Sequence, residues 1–397
     1  MSRRIPALVK PELLAWARVS SGFASLEQAA SLIGIDALTL QEWESGHDSP
    51  SLTQLRKLGQ VYKRPIAVFF LAEPPRKFDA QREFRRLAGI ISGAASPGLL
   101  QAMRWAVFRR EAALELHRLT GEPIGELNAV LHPQMNREEA GRQIRALLGI
   151  SWEEQTEWTS PHAALRAWRT AIEARGVLVF QTPASEVDLT EMRGTCIPDQ
   201  PLPVILLNGA DAPHARIFSL LHEFAHILLH AGGHQTSRMA GELSPEERPL
   251  EVAANAFAAA ALLPETVFRR SIQSFNRAPQ GDDNTLKLLA QKFKVSPETI
   301  LRRMATLGLA TEAVYRTKRD AWGSRIWYVP GSASSGGPPI EVKTIAKDGR
   351  NYTRLVLDAY DQRLINTNAA SDYLGVKPRH FSNIRRELSL RPEMADA

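Results

Sequence analysis

The chain has a single cysteine, Cys196, among 397 residues. One thiol cannot close an intramolecular disulfide, and a cysteine-rich zinc ribbon is excluded as well, so any metal must be held by histidines and carboxylates. Long apolar runs are also missing: no stretch approaches the roughly 20 residues that a membrane helix requires. The N-terminus, MSRRIPALVKPELLAWARVS, is basic but lacks the apolar core of a secretory signal. These absences predict a soluble cytoplasmic protein without a membrane partner. There is no internal repeat, and a composition of 44% hydrophobic and 23% charged residues excludes wholesale disorder. A length of 397 residues predicts two to four domains at roughly 100–200 residues each.

Charge of one sign is scarce over most of the chain. The net charge is +6, and residues 315–390 alone hold 13 Lys/Arg against 7 Asp/Glu, so the remaining 36 basic and 36 acidic residues cancel. A polyanion bound by electrostatics would therefore meet the C-terminal region, whose bland alternative is a solvated basic surface.

Turn signals divide the first 75 residues into short helices. Pro11 opens a stretch to Val19 with Leu13, Leu14, Trp16 and Ala17 on one face; Ser25 caps LEQAASLIG, which stops at Gly34. Asp36 begins a helix ending at Gly46, Ser51 caps SLTQLRKLGQVY, and Pro65 opens IAVFFLAEPP. Five such helices suit a compact helix-turn-helix bundle, with 36–45 in the recognition position. Apolar periodicity then predicts long helices around 97–119 and 137–148. The segment 161–208 reads as a helix, PHAALRAWRTAIEARG, packed on a small antiparallel sheet built from GVLVFQTP, MRGTCI and PVILLN. Helices dominate again from Ala215 to about Leu309, where TLKLLAQKFKVSPETILRRMATLGL is expected to pack against the core. The stretch GSASSGGPP (331–339) reads as a linker before a strand-like IEVKTI and a helical C-terminal unit.

Chemistry concentrates at His222-Glu223-Phe224-Ala225-His226, an H-E-x-x-H inside the apolar helix ARIFSLLHEFAHILLH. Histidines at i and i+4 share a helix face, so both imidazoles can reach one Zn²⁺. Glu223, beside the first of them, is placed to take a proton from a water activated at the metal. A purely structural apolar helix would bury three ionisable groups at heavy cost. His230 cannot join both histidines, because eight residues span about 12 Å of helix. His234, beyond Gly232 and Gly233, fits no metzincin spacing, because the tenth residue after His222 is Gly232. Glu251 in PLEVAANAFAAAALLP, with Asn255 one turn on, would complete a His₂Glu set with an open position. A carboxylate near a helix start also favours the helix dipole, and residue pattern alone leaves both readings open.

HEFAHILLH, followed about 25 residues later by EVAANAFAAAALLP, resembles the ImmA/IrrE family of metallopeptidases, as do AWRTAIEARGVLVF, MRGTCI and PVILLN ahead of it. WESGHDSPSLTQLRKLGQVYKRP is similar to Cro/C1-type (XRE) helix-turn-helix domains, and with REFRRL and YTRLVLDAYDQRLINTNAASDYLGVKPRHF the resemblance covers most of the chain. It implies a mostly α protein with a small α+β zincin-like core. The expected organisation is a Cro/C1-type domain at 1–75, a helical connection at 76–150, a zinc peptidase at 151–312 and a basic unit at 313–397. It further implies His222, His226 and Glu251 as zinc ligands and Glu223 as general base. The implied partner is an XRE-type repressor or co-encoded protein, cleaved to control a stress, prophage or toxin-antitoxin operon.

The expected recognition helix departs from this pattern: DALTLQEWESGHD has Asp36, Glu42, Glu44 and Asp48 and no Lys or Arg. Thr39 and Gln41 are its base-edge candidates, and Trp43 reads as core. Protein docking, or pairing with a second copy as a homodimer, competes there with DNA. A second helix-turn-helix-like pattern, NTNAASDYLGVKPRHFSNIRREL, offers Lys377, Arg379, His380, Arg385 and Arg386 as DNA contacts. His214 and Arg216, just before the metal helix, are candidate oxyanion or substrate contacts. The competing function is a DNA-binding regulator or antitoxin that uses the zincin fold as a sensor or scaffold without proteolysis.

Overall fold

The computed structural model describes residues 6–73 except Leu8, Ala24, Lys63 and Pro65, together with 96–232, 247–273, 282–322 and 337–390. REFRRL, His234 and most of the 331–339 segment lie outside the described residues. The chain divides into two compact units: residues 1–105 with 237–241, and 106–236 with 242–397. Among the described residues no single helix is long and apolar enough to cross a membrane.

The first unit contains α1 (Pro11–Ser20), α2 (Leu26–Ile33), α3 (Ala37–Ser45) and α4 (Leu52–Val61). Ser25, Asp36 and Ser51 each accept a backbone N–H at a helix start, and Ser51 with Gln54 forms a full capping box. Gly34 and Gly46 end α2 and α3 in the left-handed conformation that glycine adopts without a Cβ clash. The expected fifth helix is a single 3₁₀ segment, Ile66–Phe70. Its run of Ile, Val and two Phe has weak helix propensity and too little length for a second turn. Leu14, Phe23, Ile33, Leu40, Trp43, Leu58, Tyr62 and Phe69 fill the core.

In the second unit, α6 (Arg137–Leu148), α7 (Trp152–Glu157) and α8 (Pro161–Glu173) precede a three-stranded sheet; α5 (Pro97–Thr120) contains the division after Trp105. Strands β1 (Leu178–Gln181), β2 (Gly194–Ile197) and β3 (Val204–Leu207) lie in the order β1-β3-β2. The sheet is mixed where an antiparallel one was expected: β3 runs parallel to β1, with Leu178 opposite Val204, and antiparallel to β2, with Gly194 opposite Leu207. The cause is the connection 182–193, which carries the chain past the central position that β3 then fills. Asn208 pins it there, donating from Nδ2 to Val187 O (3.0 Å) and Met192 O (2.8 Å). Cys196 is a buried free thiol in β2.

Helices α9 (Pro213–Ala231), α10 (Glu247–Leu262), α11 (Glu265–Gln273), α12 (Asp283–Phe293), α13 (Pro297–Thr306) and α14 (Glu312–Trp322) follow. Leu286, Leu289, Phe293, Ile300, Leu301 and Met304 of α12 and α13 share one core with Trp168, Phe224 and Phe257, the packing role expected for 285–309.

The C-terminal helices are α15 (Ile340–Asp348), α16 (Arg350–Asp361), α17 (Thr367–Leu374) and α18 (Phe381–Ser389), with a 3₁₀ turn at Pro378–His380. The strand expected at IEVKTI is therefore helix. Its sequence alternates with period 2, yet the buried positions are Thr344 and Asp348 while Val342 is 38% exposed, so the i, i+4 stripe governs. Helix α15 packs on β1 and α18. Ala346 O accepts from Gln181 Nε2 (2.9 Å) and from Arg169 Nη1.

Candidate metal centre

Helix α9 opens on Pro213 and crosses β2 and β3 between α8 and α10. Its packing buries His222, Glu223 and His226 among Leu220, Leu221, Phe224 and Ala225. The rings of His222 and His226 meet edge to face with centroids 4.9 Å apart, and Phe218 stacks on His222 at 6.1 Å.

Glu251 reaches this pair because α10 can approach closely. Its AANAFAAAAL run leaves small side chains against its neighbours, and Gly141 of α6 meets it backbone to backbone: a Cβ there would lie 2.7 Å from the Ala260 carbonyl carbon. Buried donors then fix the end of α10. Arg145 Nη1 donates to Ala261 O (2.8 Å), Gln155 Nε2 to Leu262 O (3.1 Å), and Arg303 Nε to Leu263 O (3.0 Å), which satisfies the terminal carbonyls of the helix. Burial pulls the Arg145 guanidinium down to about 10, still charged at neutral pH.

The result is one cluster. His222 Nε2 lies 3.2 Å from Glu251 Oε1, and His226 Nε2 lies 3.3 Å from Glu251 Oε2. The three ligand atoms fall within 4.8 Å of one another, the one metal-competent group among the described residues. Arms of 2.0–2.1 Å in a tetrahedron separate ligands by roughly 3.3 Å, so two imidazoles and this carboxylate fit Zn²⁺ in spacing and in chemistry. Asn255 Nδ2 donates to Glu251 Oε1 (3.3 Å) and to its carbonyl (2.9 Å), orienting the carboxylate from one turn away. The Glu251 side chain is 29% exposed, which leaves the cluster open on one side.

Glu223 is 2% exposed and faces the start of β2. Gly194 makes room for it: a Cβ there would sit 3.3 Å from Glu223 Cγ and 3.5 Å from its Oε1. This role is invisible in sequence, where Gly194 is a lone glycine at a strand edge. Of the other candidates, His214 and Arg216 lie at the start of α9, and the structure does not gather them with the cluster. Arg216 Nη1 donates instead to Gln181 Oε1 on β1. Burial holds His214 below its ordinary pKa, against the pull of Asp211.

The candidate nucleic-acid contacts separate into exposed groups and groups committed to ion pairs or caps. Thr39 Oγ1 donates to Asp36 Oδ2 (2.8 Å), so its hydroxyl belongs to the α3 cap, while Gln41 is exposed. Glu44, one of the acids in that stretch, is held by Arg18 Nε at 2.8 Å. Lys377 and Arg379 stand exposed at the 3₁₀ turn, before the helix expected to carry them, and Arg386 is exposed on α18. Arg385 is committed to Asp358 (2.5 Å) and Asp361. His380 accepts from Arg379 Nε at 3.2 Å.

Residues 172–305 match the IrrE N-terminal-like domain family, and residues 15–69 match the helix-turn-helix family. No curated protein matches the chain. Among solved structures it is similar to a Mycobacterium tuberculosis transcriptional regulator at 18% identity, with a TM-score of 0.29. That match covers 50% of this chain and spans about half, 51%, of the other, and at this score it carries no weight. The chain joins a helix-turn-helix domain to an ImmA/IrrE-type peptidase domain, the fusion that its motifs resemble.

Proposed function

We propose that the chain is a regulatory zinc-dependent endopeptidase of the cytoplasm, with a zincin-like core, that cleaves a transcriptional repressor or similar partner protein. The observation that carries this reading is the convergence of His222, His226 and Glu251 with Glu223 buried beside them. A zinc ion held by the three would supply Lewis acidity to a water and to the substrate carbonyl. Glu223 then accepts the proton of the attacking water at its carboxylate and delivers it to the nitrogen of the scissile amide as the C–N bond breaks. Its burial against Gly194 keeps that carboxylate in one place, and Asn255 does the same for Glu251.

The helix-turn-helix domain implies DNA as a second partner. Gln41 is the base-edge candidate in α3, and Lys377, Arg379 and Arg386 are the candidates for phosphate contact.

The test is metal content together with cleavage of XRE-type repressor proteins. Wild type and Glu223→Gln should each bind about one zinc per chain, and only wild type should cleave, with a loss of about 10²–10⁴-fold in the variant. His222→Ala should lose the zinc itself. Zinc retained by both with no cleavage by either supports the competing reading, a non-proteolytic regulator with a metal-stabilised scaffold.

A further inference from the structure

A cavity of about 290 Å³ opens where the end of α5, the end of α8, β1 and α16 meet, and none of its lining residues belongs to the histidine cluster. One wall is bare backbone. A Cβ on Gly176 would lie 2.1 Å from Gly125 O, and one on Gly125 would lie 2.7 Å from Gly176 N, so both positions exclude a side chain. Leu178, Leu202 and Leu355 make another wall apolar. Glu173 is buried, 7% exposed, with Oε1 held by Arg169 Nε at 2.8 Å, so its position is fixed.

The remaining charges lie at the exposed side. Arg354 and Glu122 both line the cavity and are exposed, and neither has an ion-pair partner among the described residues. A cation and an anion that face one cavity and do not neutralise each other leave two complementary demands on an occupant. Glu122, which has no paired cation among the described residues, disfavours a phosphate or a polyanion, whereas the charge of Glu173 is already answered by Arg169. The volume falls just below the roughly 300–1,000 Å³ typical of ligand sites, too small for a nucleotide cofactor. A compact zwitterion with an apolar body meets all of these conditions.

We propose that this cavity binds a free amino acid or dipeptide, with its carboxylate on Arg354, its ammonium on Glu122, and its side chain against Leu178, Leu202 and Leu355. Binding here is independent of peptidase activity, and the readout is binding alone. The full chain is titrated by calorimetry and thermal shift with the standard L-amino acids and dialanine, at about 10 mM, well above a Kd near 1 mM. At least one should raise the unfolding midpoint. For that binder, the analogue lacking the ammonium and the analogue lacking the carboxylate should each bind about tenfold more weakly, or worse. Arg354→Ala and Glu122→Gln should each weaken binding by about tenfold while leaving the ligand-free midpoint unchanged, since both side chains are exposed. The proposal is overturned if no panel member binds, if the binder keeps its affinity in both variants, or if the analogue without the ammonium binds equally well.

Discussion

A methyl group on Gly194 would press on Glu223 Cγ and Ser219 Cβ, each 3.3 Å away. That separation forces the neighbour to shift by a few tenths of an ångström. Gly194→Ala should therefore cut cleavage by about tenfold while zinc content stays at wild type, and the branched Gly194→Val should cost more. Zinc assay and turnover on the same samples check this; full activity in the valine variant would show that Glu223 does not depend on this contact. His214 carries a pH effect. Burial depresses its pKa, so as pH falls below about 6.5 the unfolded chain binds protons here that the folded protein does not, and stability falls with them. His214→Gln should flatten the loss of stability below pH 6.5, read from urea midpoints across that range. His222 and His226 were legible in sequence because their pairing is local to one helix. Glu251 was not settled that way: its approach depends on how α10 packs against α6 and α9, and the residue pattern left a dipole role open beside the ligand role. Gly194 gave no signal, since close approach is a tertiary property.

Among elements, helix caps and stops were the most legible part of the chain, because Ser25, Asp36, Ser51, Gly34 and Gly46 act through bonds within a turn or two. The misreadings share a cause. IEVKTI alternates like a strand, but Thr344 and Asp348 are the buried positions, and Asp348 is held by a partner far away in sequence, Arg109. The mixed sheet likewise depends on a connection held by Asn208, which periodicity does not report. Arg109 Nε and Asp348 Oδ1 lie 3.1 Å apart at 3% and 0% side-chain exposure. Burial pushes the Asp348 carboxyl up against the opposing pull of Arg109. Asp348→Ala removes the acid of this buried ion pair and should destabilise by about 3–5 kcal/mol in urea unfolding. Glu139→Ala breaks a pair with Arg142 that is 40% and 73% exposed and should cost less than about 1 kcal/mol. Equal effects would mean that the interior pair is not the determinant of α15 docking.

For the molecule as a whole, counting charge placed the positive excess past residue 314, and the structure shows how much of it is already used. Lys318 is paired with Asp283, Arg385 with Asp358 and Asp361, and Arg350 Nη2 donates to Leu388 O (2.6 Å). Lys377, Arg379 and Arg386 remain exposed. If these three meet phosphates, each alanine substitution should lower the slope of log K against log salt by about 0.9, whereas Arg385→Ala should act on stability instead. Slopes unchanged in all three would assign any DNA contact to the N-terminal domain.

The carbonyl of Ala346 has a consequence for how such a chain can change over time. It accepts from Gln181 and Arg169, and Gln181 accepts in turn from Arg216 on the helix of the histidine pair. Asp348, two residues on, answers Arg109. The tail is therefore no cassette to be shuffled among relatives. A lineage that lost or replaced residues 340–348 would take an acceptor from Arg109, Arg169 and Gln181 in the body of the protein, and would need matching changes at those positions. Those positions and the tail should drift together, as a single inherited unit that extends well past the segment 172–305 by which the family is recognised.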